Sequence, residues 1–387
     1  EPARDRGGAC DRAHDCSSTP RARCGASMTT YLLAGGGTAG HVNPMLALAD
    51  AISHDSAENE IWALGTQEGL EARLVPQRGY RLLTIERLPF PRKINAQAFG
   101  FFGRFFKAVK KVEAYLREHQ IEVVVGFGGY ASAPAYLAAK NLKIPLVVHE
   151  ANALPGMANR WAAGFASAVG VAFRNTKLKR ASFVGMPLRK EVEALASHQK
   201  NRADISAARA HFGLDESATT LLVTGGSLGA RSLNQTIAAS EALLTAAGIH
   251  LLHITGDRSE LDEVTTPELA RIKYCDRMDL AITAADFAVA RAGAATVSEF
   301  AAVGLPAVYV PYPVGNGEQV YNVQDLLAAK GGILCLDKDF TPDFVREVLI
   351  PAVSNSRARA DFAQAAKSVG VADGSQRLLT LIKGVLG

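Results

Sequence analysis

Two glycine-rich turns, each directly behind a short apolar run, put backbone amides where an anion can dock. The first reads Gly35-Gly36-Gly37-Thr38-Ala39-Gly40-His41 after Tyr31–Ala34; the second reads Gly225-Gly226-Ser227-Leu228-Gly229-Ala230-Arg231 after Leu221–Thr224. A strand that turns through glycine into a helix presents free N–H groups and the positive end of a helix dipole. One such turn is weak grounds for a nucleotide site. Two of them, nearly half a chain apart, predict two similar α/β domains facing each other across a cleft.

His41 closes the first turn and opens the helix behind it. A helix N-terminus disfavours a second positive charge, so the imidazole is expected neutral, the form a general base needs. The other reading is a histidine that only caps the helix or packs on the loop, and spacing does not separate the two. The following strand ends in Gly65-Thr66-Gln67, with no acid to hold a ribose diol, and Glu58 and Glu60 precede it. That counts against an NAD-type dehydrogenase.

A third turn, Arg291-Ala-Gly-Ala-Ala-Thr-Val-Ser-Glu299, again reads strand, glycine, helix. Amides of Ala294–Thr296 suit a pyrophosphate, and Glu299, one turn further in, suits the two hydroxyls of a ribose. An acid that merely complements the helix dipole is the alternative. In the polar loop after Val310, Gln319 and Asn322 stand where a sugar hydroxyl could be read, or are ordinary surface polar residues.

These groups need rigid elements beneath them, and short buried strands alternating with helices supply them. Strands are expected at Thr29–Ala34, Glu60–Leu64, Tyr80–Ile85, Val123–Gly126, Leu146–His149, Ala168–Ala172 and Ser182–Val184. Helices are expected at Val42–Ser53, Glu68–Arg73, Val109–His119 and Ser132–Lys140. A second series follows with strands Thr220–Thr224, His250–Thr255, Phe287–Ala290 and Ala307–Val310. The pattern predicts an α/β chain of two doubly wound, Rossmann-like parallel sheets. Its layout is a first domain over 28–189, a junction rich in charge, alanine and serine over 190–216, and a second domain over 217–375. A last helix over 376–387 is expected to return to the first domain.

A chain of 387 residues with 48% hydrophobic residues can fill two cores, and its net charge of +4 does not by itself argue for nucleic acid. No apolar run reaches the roughly 20 residues of a membrane-spanning helix. Residues 1–27 have no apolar period and no signal-type core, and are expected to be a disordered extension ahead of Met28. Cys10, Cys16 and Cys24 fit no familiar zinc spacing, and Cys275 and Cys335 stand far apart, which favours a reducing compartment.

Residues 88–111 hold six basic residues and six phenylalanines with no acid, in a chain only 7% aromatic. Phenylalanine interleaved with Lys and Arg suits an interfacial helix on anionic lipid. A core-facing helix with a basic outer side is the competing reading, and single-stranded nucleic acid is disfavoured because no recognised nucleic-acid module accompanies the segment.

Seven motifs in order, GGGTAGHVNP (35–44), GFGGYASAP (126–134), HEAN (149–152), VGMPLR (184–189), GGSLGARSLN (225–234), RAGAATVSE (291–299) and EQVYN (318–322), closely resemble the MurG family of bacterial cell-wall glycosyltransferases. The resemblance runs from Met28 to the end, and residues 1–27 have no counterpart. It implies a GT-B fold: two Rossmann-like domains separated by a cleft, the first holding the acceptor and the second the nucleotide sugar. It implies inverting transfer of GlcNAc from UDP-GlcNAc to the 4-hydroxyl of MurNAc in lipid I, giving lipid II. The alternatives are a UDP-GlcNAc 2-epimerase or a soluble-acceptor natural-product glycosyltransferase of the same fold, and, in another class, a non-catalytic nucleotide-sugar sensor or cell-division scaffold.

By the same resemblance, His41 is the candidate base. Thr38, Ala39 and Gly40 reach the donor from the first domain, while Asn152 and Arg189 contact it; Arg189 is chemically suited to a phosphate. Ser227 meets the diphosphate. Ala294, Ala295, Thr296, Val297, Ser298 and Glu299 form the helix start with its ribose acid. Tyr274 lies over the uracil, Cys275 offers a backbone contact, and Gln319 reads the sugar beside Glu318, where some members carry glutamine. The two helix starts and Arg189 would stabilise departing UDP without a metal or other cofactor. The resemblance further implies a peripheral protein on the cytoplasmic face of the membrane, held through 88–111, within a cell-wall synthesis or division complex.

Overall fold

The computed structural model describes residues 28–88, 96–198, 200–226, 229–314 and 316–387, without the side chains of 96–99. The expectation of a disordered extension over 1–27 therefore lies outside the described residues, as does Ser227.

The first sheet is built from β1 (Thr30–Gly35), β2 (Glu60–Thr66), β3 (Arg81–Ile85), β4 (Val123–Gly128), β5 (Leu146–Glu150), β6 (Ala168–Val171) and β7 (Ala181–Phe183). They run in the order β3-β2-β1-β4-β5-β6-β7, all parallel. Near-continuous apolar runs such as Val123-Val124-Val125, each fully buried, are what a strand covered on both faces requires. Helices cover both sides. Ala96–Glu118 and Ser132–Leu142 pack on each other, and Ala39–Asp55 packs against the final helix, Gly374–Leu386. Leu378, Leu379 and Ile382 of that last helix are fully buried in the core of the first sheet.

The second sheet comprises β8 (Thr219–Thr224), β9 (Ile249–Ile254), β10 (Val264–Thr265), β11 (Leu269–Ile272), β12 (Phe287–Ala290), β13 (Ala307–Tyr309) and β14 (Gly332–Leu334). Its order is β10-β11-β9-β8-β12-β13-β14, with only β10 antiparallel to its neighbour. In each sheet the winding reverses beside the first strand, between β1 and β4 and between β8 and β12. Open parallel sheets bind ligands at the carboxyl ends of the strands at such a switch point. The three turns singled out in the sequence follow β1, β8 and β12, and the GFGGYASAP motif closes β4, so all four lie there.

The junction holds two helices, Lys190–Ser197 and Arg202–His211, the second closed by a capping box in which Asn201 and Asp204 exchange bonds. The chain then crosses back before the last helix, where Gly374 lies so close to Met186 that a Cβ there would overlap the Met186 carbonyl.

Candidate functional site

The first turn is held from both sides. Thr38 is the N-cap of helix Ala39–Asp55, and its carbonyl accepts from the amides of His41 and Val42, both at 3.1 Å. Gly129, at φ +89°, comes so near Gly36 that a Cβ would overlap the Gly36 carbonyl oxygen. Gly37 and Thr38 are exposed at the rim, while Ala39, Gly40 and His41 are half-buried.

His41 Nδ1 lies 3.2 Å from the Gly36 carbonyl oxygen and 3.2 Å from Thr38 Oγ1. The carbonyl can only accept, so Nδ1 carries the hydrogen and Nε2 keeps its lone pair. A Cβ on Gly128 would stand 3.2 Å from Nε2, and glycine leaves room for the ring. Burial lowers the proton affinity of His41, opposed in turn by Glu150, the Gly36 carbonyl and Glu71. The ring is kept neutral, then, chiefly by desolvation, where the sequence had pointed to the helix terminus.

The HEAN turn is organised by its own acid. Glu150 is 3% exposed and accepts from the amides of Asn152 and Gly156 and from Asn159 Nδ2, at 2.9, 3.0 and 2.9 Å. Asn152 meets the other domain: its Oδ1 accepts from Asn322 Nδ2 at 3.4 Å. Asn322 Oδ1 accepts from the Ala153 amide at 2.9 Å, and Asn322 Nδ2 also donates to the Ala292 carbonyl at 3.1 Å. Asn322 is 1% exposed, so it is a buried link between the domains and neither a sugar-reading group on a polar loop nor a surface residue.

In the second domain, Gly293 caps helix Ala294–Val303. Ala294, Val297 and Glu299 are buried, whereas Ala295, Thr296 and Ser298 are half-buried. The Val297 side chain belongs to the core and its amide already donates to the Gly293 carbonyl at 2.9 Å, so the free amides of this helix start end at Thr296. Glu299 Oε1 accepts from both Nε and Nη2 of Arg189, at 3.0 and 2.8 Å. Two residues expected to meet a donor separately thus meet each other.

In the second turn, Gly229 at φ +79° lies so close to the Thr255 carbonyl that no Cβ fits. Asn234, on the helix behind it, donates to Thr255 O at 2.8 Å and its Oδ1 lies 3.1 Å from His253 Nε2. Arg291 joins three segments: it donates to the Val310 and Pro311 carbonyls and to Ser232 Oγ, and pairs with Asp337 at 2.5 Å. Tyr274 is 44% exposed at the rim; Cys275 beside it is half-buried, its thiol pushed up to about 11 by burial. Gln319 Oε1 accepts from the Tyr312 amide at 2.8 Å, which leaves its NH₂ free to donate.

Thr38 to His41, Asn152, Arg189, Ala294 to Glu299, Tyr274, Cys275 and Gln319 all lie on loops or helix starts at the carboxyl ends of the two sheets. Glu71, Glu150 and the Arg291–Asp337 pair escaped the sequence reading. Glycines at 65 and 69 around Glu71 were the available signal, because a carboxyl group folded under a turn needs such neighbours.

Comparison with known proteins gives the same two halves. Residues 31–171 match the glycosyltransferase family 28 N-terminal domain, and residues 220–378 match the family 28 C-terminal domain. The UDP-N-acetylglucosamine--N-acetylmuramyl-(pentapeptide) pyrophosphoryl-undecaprenol N-acetylglucosamine transferase of Leifsonia xyli is 56% identical over 356 residues, 92% of this chain and 98% of that protein. The Streptomyces coelicolor protein of the same name is 44% identical over 355 residues, 91% of this chain and 96% of its own. The crystal structure of Acinetobacter baumannii MurG superposes with a TM-score of 0.72 at 25% identity, covering 92% of this chain and all of that one. A UDP-N-acetylglucosamine 2-epimerase shares the fold alone, at 10% identity and a TM-score of 0.60.

Proposed function

The chain belongs to glycosyltransferase family 28, and on that premise we propose that it transfers N-acetylglucosamine from UDP-N-acetylglucosamine to N-acetylmuramyl-(pentapeptide) pyrophosphoryl-undecaprenol, giving lipid II. It is a UDP-sugar-dependent enzyme with a GT-B fold. The observation that carries the reading is that loops at the carboxyl ends of both sheets are joined to each other, by Arg189–Glu299 and Ala153–Asn322.

The first domain, 28–189, holds the acceptor, and the second, 217–375, holds the donor. Glu299 takes the ribose hydroxyls, while the amides at Ala294–Thr296 and around Ser227 take the diphosphate. Tyr274 covers the base, and Asn152 and Gln319 read the sugar. His41 Nε2 removes the proton of the attacking 4-hydroxyl as the anomeric carbon inverts. Charge gathers on the departing UDP, and fixed amides stabilise it without reorganising, with Arg189 as a further positive charge.

The protein works at the cytoplasmic face of the membrane, in the company of other cell-wall enzymes. Phe102 and Phe106 support this: they are 62% and 57% exposed on helix Ala96–Glu118, among Arg104, Lys107, Lys110 and Lys111. Among the described residues no helix is long and apolar enough to cross a membrane. The decisive assay is UDP release. It should require the lipid-linked acceptor and run with UDP-GlcNAc in preference to UDP-GalNAc. Release with donor alone, or none with both substrates, would defeat the reading.

A further inference from the structure

We propose that Glu71 is a positioning residue for His41, acting through the single peptide group that joins Gly36 to Gly37. The proposal rests on the reading of His41 as the base. That peptide has two polar ends, and both are engaged. Its N–H, on Gly37, donates to Glu71 Oε2 at 2.9 Å; its carbonyl, on Gly36, faces His41 Nδ1 at 3.2 Å. Carboxylate, peptide and imidazole therefore stand in line. A carboxylate at the N–H end pushes electron density toward the carbonyl, which then holds the Nδ1 hydrogen more firmly. A carboxylate bonded directly to the imidazole of a catalytic triad fixes the tautomer and stabilises the imidazolium. Here the same influence crosses one amide. The Nδ1 hydrogen stays in place, Nε2 takes the substrate proton, and Glu71 receives none.

The site is built for a carboxylate at that point. Glu71 is 0% exposed, and its other oxygen accepts from the Thr66 amide and Thr66 Oγ1, at 2.8 and 2.9 Å. Three donors face it, so both oxygens act as acceptors. Gly36, Gly65 and Gly69 surround it so closely that a Cβ on any of them would overlap the carboxyl group. A side chain needed only to fill space would not require three missing neighbours. The charged groups facing His41 are Glu71, from the element after β2, and Glu150, from β5. Asn159, whose Nδ2 shares the space over Gly128 with the ring, is the neutral group on that side.

The test compares Glu71→Gln, which keeps the volume, with His41→Ala and with the double variant. Removing the carboxylate makes imidazolium harder to form, so the acid limb of kcat should move to lower pH, by roughly half a unit. On the plateau kcat should fall roughly 10-fold, as for loss of a bond to a charged group. KM for UDP-GlcNAc should stay within a factor of about three. The double variant should be no slower than His41→Ala alone. An acid limb that does not move, or losses that multiply, would overturn the relay.

A near-normal kcat in His41→Ala would instead remove the base reading, and the relay would then be judged on the imidazole itself. Nitrogen-15 NMR of His41 should show hydrogen on Nδ1 in the unaltered protein and a lower titration midpoint in Glu71→Gln. Hydrogen on Nε2 in the unaltered protein overturns the proposal without any variant having to fold.

Discussion

Arg189 and Glu299 suit different parts of a nucleotide sugar, yet here they hold each other across the domain boundary, both guanidinium contacts falling on one carboxylate oxygen. The pair leaves Glu299 Oε2 to a ribose hydroxyl, and phosphate offers Arg189 a bidentate partner of the same kind. Arg189→Ala should therefore weaken UDP by roughly 10-fold and uridine far less. Glu299→Gln should weaken both ligands alike and leave 2′-deoxyuridine diphosphate nearly unaffected. Calorimetric titration of the three ligands checks this; equal losses of UDP and uridine in Arg189→Ala would mean that it serves only to hold Glu299. Single residues were legible as candidates where they stand on a turn directly behind a strand, as with His41 and Glu299. They were illegible where a side chain acts through backbone. Glu71 sits past the end of β2, where no acid was found, and only the tertiary turn brings it under Gly37. Asn322 looked like loop polarity because nothing in its neighbours announces that Ala153 lies above it.

At the scale of the element, helix Ala96–Glu118 divides the Phe-rich segment between a core-facing side and an exposed one. Phe101 is 7% exposed and Phe105 half-buried, and both join the core of the first sheet, while Phe102 and Phe106, four residues apart, project outward. Sequence periodicity predicted only Val109–His119, because Gly100 and Gly103 weaken helical propensity through the first turns. Packing on helix Ser132–Leu142 overrides that cost. Residues 89–95, with Phe90, Arg92 and Lys93, lie outside the described residues. Replacing Phe102 and Phe106 with Ser should cut partitioning onto anionic vesicles by one to two orders of magnitude, since each loses its own buried apolar area. Secondary structure should be unchanged, because neither ring belongs to the core. Binding to the vesicles should also weaken with salt in the unaltered protein. Sedimentation with vesicles measures both effects, and equal binding by the double variant would place the membrane contact elsewhere.

At the scale of the molecule, the two-sheet architecture was legible because parallel strands covered on both faces read as apolar runs between helices. Strands β10, β11 and β14 were not, being two to four residues long and specified by their neighbours in the sheet rather than by their own pattern. Neither could the sequence reveal that each sheet carries a buried histidine, and both are expected to make the fold sensitive to acid. His149 in β5 and His253 in β9 are both 0% exposed, and each leaves Nδ1 without a partner. Burial lowers the first from the usual 6.5 to about 4, and burial with the charge of Arg271 lowers the second to about 3. The unfolded chain therefore binds protons that the folded chain refuses. Their contribution to stability is complete above pH 6.5 and is lost as pH falls toward 4 and then 3. Each histidine removes about 1.4 kcal/mol per pH unit across that window. Calorimetric Tm should fall steadily from pH 6.5 to pH 4, and His149→Gln or His253→Gln should each flatten the slope, at whatever cost to Tm at neutral pH. Because each histidine lies in a different sheet, either replacement should raise the acid resistance of one domain and separate two transitions that otherwise shift together. A slope unchanged in both variants would assign the acid sensitivity to the carboxylates instead.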